Sequence, residues 1–209
     1  MDDKYTYLEK IGEGAFAKVF KAQDNLTGTF YAIKEIDTKN FDKKQFELLD
    51  TEIKLLSNIN HKNIVKFYDC IKPTKNIVDI ILEYCNGGSL HKCLYDYKKN
   101  NKGKPFPEKL VKYLMKKILE GVNYLHNNKI IHRDLKLGNI LLKYEKLQDL
   151  NNKNISKAEV KITDFNTSYD YKGKEPPNTV LGTLQNMAPS IIGVAMNKKD
   201  SYDEKVDIW

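Results

Sequence analysis

Residues 131–139 read Ile-His-Arg-Asp-Leu-Lys-Leu-Gly-Asn, and no other stretch narrows the possibilities for this chain so far. Thr163-Asp164-Phe165 follows downstream, and Ala32-Ile33-Lys34 lies far upstream. These three strings supply one carboxylate for a substrate hydroxyl, a second carboxylate and an amide for a metal, and an ammonium for phosphate. Phosphoryl transfer from a nucleotide draws on that inventory, because its catalysis is mostly positioning and neutralisation of charge on the transferring group.

The frame around the strings changes character along the chain. Residues 7–11 and 19–23 read as strands flanking a glycine turn, and Asp24-Asn25-Leu26-Thr27-Gly28 turns the chain into a third strand over 30–36. Phe46, Leu49, Ile53 and Leu56 recur at three- and four-residue steps, which predicts one stripe of an amphipathic helix. Residues 65–71 and 77–83 are two further strands. After Asn86-Gly87-Gly88 the periodicity becomes helical. Ser89 suits the N-cap of a short helix through about Tyr97, and Pro107-Glu108 opens a longer one. On that helix Val111, Leu114, Met115, Ile118, Val122 and Leu125 are expected to share a face. Residues 144–158 form a polar insertion, read as a tolerated surface loop in preference to a docking site. The expected architecture is α+β with two lobes: residues 1–85 as a small antiparallel sheet plus one helix, and 86–209 as a mainly helical lobe.

Composition removes several alternatives. A chain of 209 residues, 41% hydrophobic and 30% charged, is neither disordered nor a membrane protein, and no apolar run reaches the roughly 20 residues a bilayer span needs. The start, Met-Asp-Asp-Lys-Tyr, has no signal pattern. Cys70, Cys85 and Cys93 are odd in number and lack metal spacing, which suits a reducing compartment, cytoplasm or nucleus. The net charge of +7 is scattered, and Lys112 and Lys116 stand four apart on a solvated helix face. Binding to nucleic acid is therefore not expected; solubility and a mild preference for anions are.

The ordered strings resemble the eukaryotic protein kinase family, serine/threonine type, from about Tyr7 to the last residue. That resemblance implies ATP and Mg²⁺ as cofactors and a protein bearing serine or threonine as substrate. Gly12-Glu13-Gly14-Ala15-Phe16-Ala17 looks like the glycine-rich loop, with Ala17 in place of its third glycine. Ile11, Gly12, Gly14, Val19, Ala32, Lys34, Glu83, Cys85, Ser89 and Leu141 fall at ATP-binding positions. Leu82 is the implied gatekeeper. Glu52 matches the helix glutamate that pairs with Lys34. Asp134 matches the carboxylate that orients the substrate hydroxyl, Lys136 the cation near the γ-phosphate, and Asn139 with Asp164 the metal ligands. Lys136 marks the serine/threonine branch, and Thr183 resembles the threonine that bonds Asp134 and Lys136. His132, Phe165, Leu56 and Phe67 correspond to a stack of four side chains, and His126, like His132, reads as structural. Arg133 implies a phosphate on the segment that follows, with Thr179 as the phosphosite and an upstream kinase as its activator.

The chain departs from the family pattern in three places. Asp-Phe-Gly becomes Asp164-Phe165-Asn166, where asparagine tolerates positive φ better than most residues. Ala-Pro-Glu becomes Ala188-Pro189-Ser190, losing a carboxylate. Asp207-Ile208-Trp209 resembles the start of a central buried helix, with Asp207 as the brace beneath the catalytic loop. Further helices are expected after it, so the resemblance implies a truncated domain of weak stability. Leu-Lys-Leu-Gly-Asn is similar to polo-like kinases and Asn186-Met187-Ala188-Pro189 to Atg1-type kinases. The alternative reading is a pseudokinase-like module that binds nucleotide or a partner without transferring phosphate, or an inactive fragment.

Overall fold

A computed structural model describes residues 4–14 and 17–209. The described residues divide into two compact units, 4–60 with 65–85, and 61–64 with 86–209.

The first unit is a five-stranded antiparallel sheet in the order β1-β2-β3-β5-β4, with one helix. Its strands are β1 (Tyr5–Glu13), β2 (Ala17–Asp24), β3 (Phe30–Asp37), β4 (Phe67–Thr74) and β5 (Ile77–Glu83). β5 is buried almost throughout, as its run of Ile, Val and Leu requires for a strand covered on both faces. The helix α1 (Lys43–Asn58) starts at Asp42, whose carboxylate accepts from the Gln45 N–H while the Gln45 side chain accepts from the Asp42 N–H. This reciprocal capping box satisfies two amide donors that the first turn would otherwise leave unmade.

Burial on α1 differs from the expected stripe. Leu49, Glu52, Leu55 and Leu56 are the buried residues, while Phe46 is 44% exposed and meets Phe41 edge to face. The stripe is therefore rotated toward the carboxylate of Glu52.

The second unit carries α2 (Leu90–Asn100), capped by the Ser89 hydroxyl, and α3 (Glu108–Asn127). Short strands pair as β6 (Ile130–Ile131) with β9 (Tyr169–Asp170) and β7 (Ile140–Lys143) with β8 (Glu159–Ile162). Residues 61–64 belong to this unit: His61 stacks on Tyr124, Asn63 Nδ2 donates to the Val160 carbonyl, and Ile64 bridges Ile162. Gly121 sits mid-helix because a Cβ there would stand 3.1 Å from the Asn63 carbonyl oxygen and 2.8 Å from Ile162 Cδ1.

Two expectations change here. On α3 the buried residues are Leu114, Gly121, Val122 and Leu125, while Val111 and Met115 are 41% and 47% exposed. They fall on an adjacent stripe with Leu119, also exposed, because a three-and-four spacing cannot by itself say how wide the packed face is. The insertion is likewise more than a loose loop. It contains α4 (Leu147–Asn151), buries Tyr144, Ile155 and Ala158, and is fastened where the Tyr113 hydroxyl donates to the Ala158 carbonyl. Finally α5 (Pro189–Ala195) packs Ile191 with Ile131, Ala188, Tyr202 and Val206. Among the described residues no helix is long and apolar enough to cross a membrane.

Candidate active site

In the first unit, antiparallel register sets Lys34 opposite Val19 on one side and Ile80 on the other, and Ala32 opposite Leu82. Residues directly opposite share a face, as do residues two apart, so Val19, Ala32, Lys34 and Leu82 line one face of the sheet. Glu52 of α1 reaches that face, and its Oε1 is 2.6 Å from Lys34 Nζ. Both side chains are largely withdrawn from water, at 14% and 6% exposed, so each charge depends on the other.

Ile11 is 44% exposed, and Gly12 pairs with Val19, against which a Cβ at Gly12 would stand at 3.4 Å. The Gly14 N–H donates to the Ala17 carbonyl. Ala15 and Phe16, at the tip of the expected phosphate loop, lie outside the described residues. Glu83 and Cys85 are buried, and the Glu83 N–H donates to the Lys66 carbonyl. Ser89 and Leu141, in the second unit, form an isolated bridge, with the Ser89 hydroxyl already engaged as a helix cap.

The loop after β6 is built on Asp207. Its Oδ2 accepts from the His132 N–H at 2.8 Å and lies 2.9 Å from His126 Nε2, while its Oδ1 accepts from the Arg133 N–H at 2.8 Å. This carboxylate therefore fixes the backbone just before Asp134, where Arg133 takes a φ of 69°. His132 is fully buried, contacts the Thr163 carbonyl through Nε2, and meets the Phe165 ring edge to face at 5.0 Å.

Asp134 is held from three sides. Oδ1 accepts from the Thr183 N–H at 2.8 Å, and Oδ2 accepts from Lys136 Nζ at 2.7 Å and from Asn139 Nδ2 at 3.1 Å. Lys136 Nζ also donates to the Thr183 hydroxyl at 2.6 Å. Burial pushes the Asp134 carboxyl up, but the bonds from Lys136 and Thr183 outweigh it and hold the group below the usual carboxylate range. Asp134 is thus a fixed anion at neutral pH.

The Asn139 amide donates through Nδ2 to the carbonyl of Asp134 at 2.9 Å as well as to its Oδ2, so Oδ1 is the atom it presents to the opposite side. The Thr163 N–H donates to the Asn139 carbonyl at 3.0 Å, which ties the residue before Asp164 to the backbone of Asn139. Asp164 takes a φ of 69°, whereas Asn166 has no positive φ. The left-handed residue of this turn is the aspartate, so the missing glycine imposes no backbone strain. One carboxylate and one amide oxygen form a hard donor set that suits Mg²⁺, an ion that keeps several waters and shares its shell with phosphate oxygens. Among the described residues no group of three or more His, Cys, Asp or Glu gathers as a metal cage.

Arg133 turns its side chain toward the following segment. Its Nη1 donates to the Thr179 hydroxyl at 2.9 Å, Nε to the Thr167 carbonyl, and Nη2 to the Ser168 carbonyl at 3.4 Å. Tyr202 also touches this guanidinium, at 3.1 Å, and sequence reasoning did not single it out. A tyrosine in an unpatterned stretch carries no local signal of such a long-range contact.

The sheet-and-helix unit presents a lysine–glutamate pair, and the helical unit presents a carboxylate, a lysine and an amide. Residues 5–209 match the protein kinase domain family, and the chain belongs to it. It is similar to "MAP3K epsilon protein kinase 2" of Arabidopsis thaliana, with 39% identity over 192 residues, covering 92% of this chain and 13% of that protein. "Serine/threonine-protein kinase 10" of Danio rerio is 34% identical over 209 residues, covering all of this chain and 19% of the relative. "Serine/threonine-protein kinase ATG1b" of Arabidopsis thaliana is 35% identical over 205 residues, covering 98% and 26%. The chain thus spans a small part of the length of the relatives it matches.

Proposed function

We propose that this chain transfers the γ-phosphate of ATP to serine and threonine hydroxyls of protein substrates. The observation that carries this reading is the Asp134–Lys136–Asn139–Thr183 cluster, in which one anion is fixed, hydrogen-bonded on both oxygens and flanked by an ammonium. A carboxylate with a depressed pKa is a weak proton acceptor at neutral pH, so its main contribution is to orient the substrate hydroxyl for in-line attack. Lys136 offers its ammonium to charge developing on the transferring group, and Thr183 keeps that ammonium beside Asp134. Lys34, steadied by Glu52, grips the donor's α- and β-phosphates. Asp164 and Asn139 hold Mg²⁺, which when bound neutralises phosphate charge.

Thr179 is the proposed phosphosite for an upstream kinase: it is exposed, and its hydroxyl already faces Arg133. Cytoplasm or nucleus is the proposed location, consistent with Cys70, Cys85 and Cys93 all being free thiols.

The test pairs two measurements on the 209-residue protein and its Asp164→Asn variant. Labelled phosphate from γ-labelled ATP should reach a generic basic protein with the parent chain and fall by at least about a hundredfold with the variant. Stabilisation by Mg-ATP without any transfer by the parent would establish the nucleotide-binding module instead.

A further inference from the structure

Tyr202 places its ring in the cluster of Ile131, Ala188, Ile191 and Val206, and only 5% of the residue is exposed. Its backbone N–H and its hydroxyl both donate to one neighbouring segment. The backbone N–H donates to the Pro177 carbonyl at 3.2 Å, and the hydroxyl donates to the Thr179 carbonyl at 2.6 Å. The same hydroxyl accepts from Arg133 Nη1 at 3.1 Å. One phenol therefore joins the catalytic-loop guanidinium to the backbone of residues 177–179.

Arg133 is 6% exposed, and the partners of its guanidinium among the described residues are neutral: two carbonyls, the Thr179 and Tyr202 hydroxyls, and the face of Tyr169 at 5.4 Å. These bonds engage Nε, Nη1 and Nη2 of the guanidinium. Three and four residues beyond Thr179 the same segment is fixed again. Gly182, at φ 119°, presses on the Arg133 carbonyl so closely that a Cβ would stand 2.5 Å from its oxygen, and Thr183 bonds Asp134 and Lys136.

We infer that Tyr202 is a positioning residue that seats segment 177–183 on the catalytic loop through neutral hydrogen bonds, so that this seating does not wait for a phosphate on Thr179. A phosphate there would reinforce an existing arrangement. The functional half of the inference rests on the kinase reading; the structural half does not. Phenylalanine keeps the ring in its cluster but removes the bond to the Thr179 carbonyl and the acceptor for Arg133 Nη1.

Two arms separate the inference from the kinase reading. In hydrogen exchange on the full chain, shown by intact mass to be unphosphorylated, the Tyr202 and Thr183 amides, which donate to the Pro177 carbonyl and to Asp134 Oδ1, should be protected to the same degree as those of the catalytic loop. Exchange at free-peptide rates would overturn the inference without any variant. In Tyr202→Phe the same amides should exchange about tenfold faster or more, while α3 amides are unchanged. Equal exchange in a folded variant would overturn it too.

In the kinetic arm, Tyr202→Phe should raise KM for the protein substrate about tenfold and leave KM for ATP within about twofold. Thr179→Glu should recover most of that loss in the Tyr202→Phe background and change the parent chain by less than about twofold. An unchanged protein KM in folded Tyr202→Phe, or full dependence of the parent on Thr179→Glu, would overturn the inference. If the parent transfers no phosphate at all, the kinase reading fails, and exchange alone decides the role of Tyr202.

Discussion

Nζ of Lys136 lies 2.7 Å from Oδ2 of Asp134, and together with the Thr183 N–H on Oδ1 it sets the aim of the carboxylate. Burial pushes this carboxyl up, and the Lys136 and Thr183 bonds reverse the direction of the shift.

The depressed Asp134 pKa has a consequence for stability. Its folded value lies below the ordinary 3.8, so folding releases a proton and the contribution is fully present above that value. It is lost as pH falls through the lower folded value. Melting temperature in the parent should therefore decline in this acid window, and Asp134→Asn should show a shallower decline there by calorimetry.

Lys34 and Glu52 should behave as a coupled buried pair. Lys34→Met leaves the Glu52 carboxylate buried beside an apolar chain and should cost about 3 kcal/mol in urea unfolding. The double variant with Glu52→Gln should recover much of that cost. Additive losses would show that the two side chains do not interact.

Asp79 shows the opposite sign to Asp134. It is buried in β5, accepts from the Tyr7 hydroxyl, and stands opposite Glu35 in the register. Burial raises its pKa, the Tyr7 bond lowers it, and the Glu35 charge raises it, with a net increase above 3.8. Stability from this group is full below 3.8 and is lost as pH rises through the folded value. Asp79→Asn should raise the melting temperature at pH 7 by a few degrees and flatten the fall above pH 4. A lower melting temperature at neutral pH would contradict this.

Gly121→Ala should invert the usual helix rule. An alanine in a helix interior ordinarily gains about 1 kcal/mol over glycine. Here its methyl would crowd Ile162 and the Asn63 carbonyl, and the net change should be a loss of about 1 kcal/mol or more in chemical denaturation.

A short continuous apolar run bounded by turn residues made β5 readable: the expected strand at 77–83 coincides with it, and six of its seven residues are buried. Capping chemistry did the same for α2, because the Ser89 hydroxyl accepts from the Lys92 N–H in its first turn. Periodicity failed where a polar residue belongs to the packed stripe. Glu52 is buried against Lys34, eighteen residues earlier, and a stripe of Phe46, Leu49, Ile53 and Leu56 passes it by. The attachment of 61–64 to α3 and β8, the burial of Ile155, and the bonds of Tyr202 are long-range contacts with no local pattern. Asn166 was expected to bear a positive φ that the backbone assigns to Asp164.

The most direct test of the account is phosphoamino-acid analysis of a basic protein incubated with γ-labelled ATP and Mg²⁺. The parent chain should deposit label on serine and threonine, and Asp134→Asn should reduce it by about a thousandfold while retaining Mg-ATP stabilisation. Equal labelling by parent and variant, or no labelling by a folded parent that binds Mg-ATP, would contradict it.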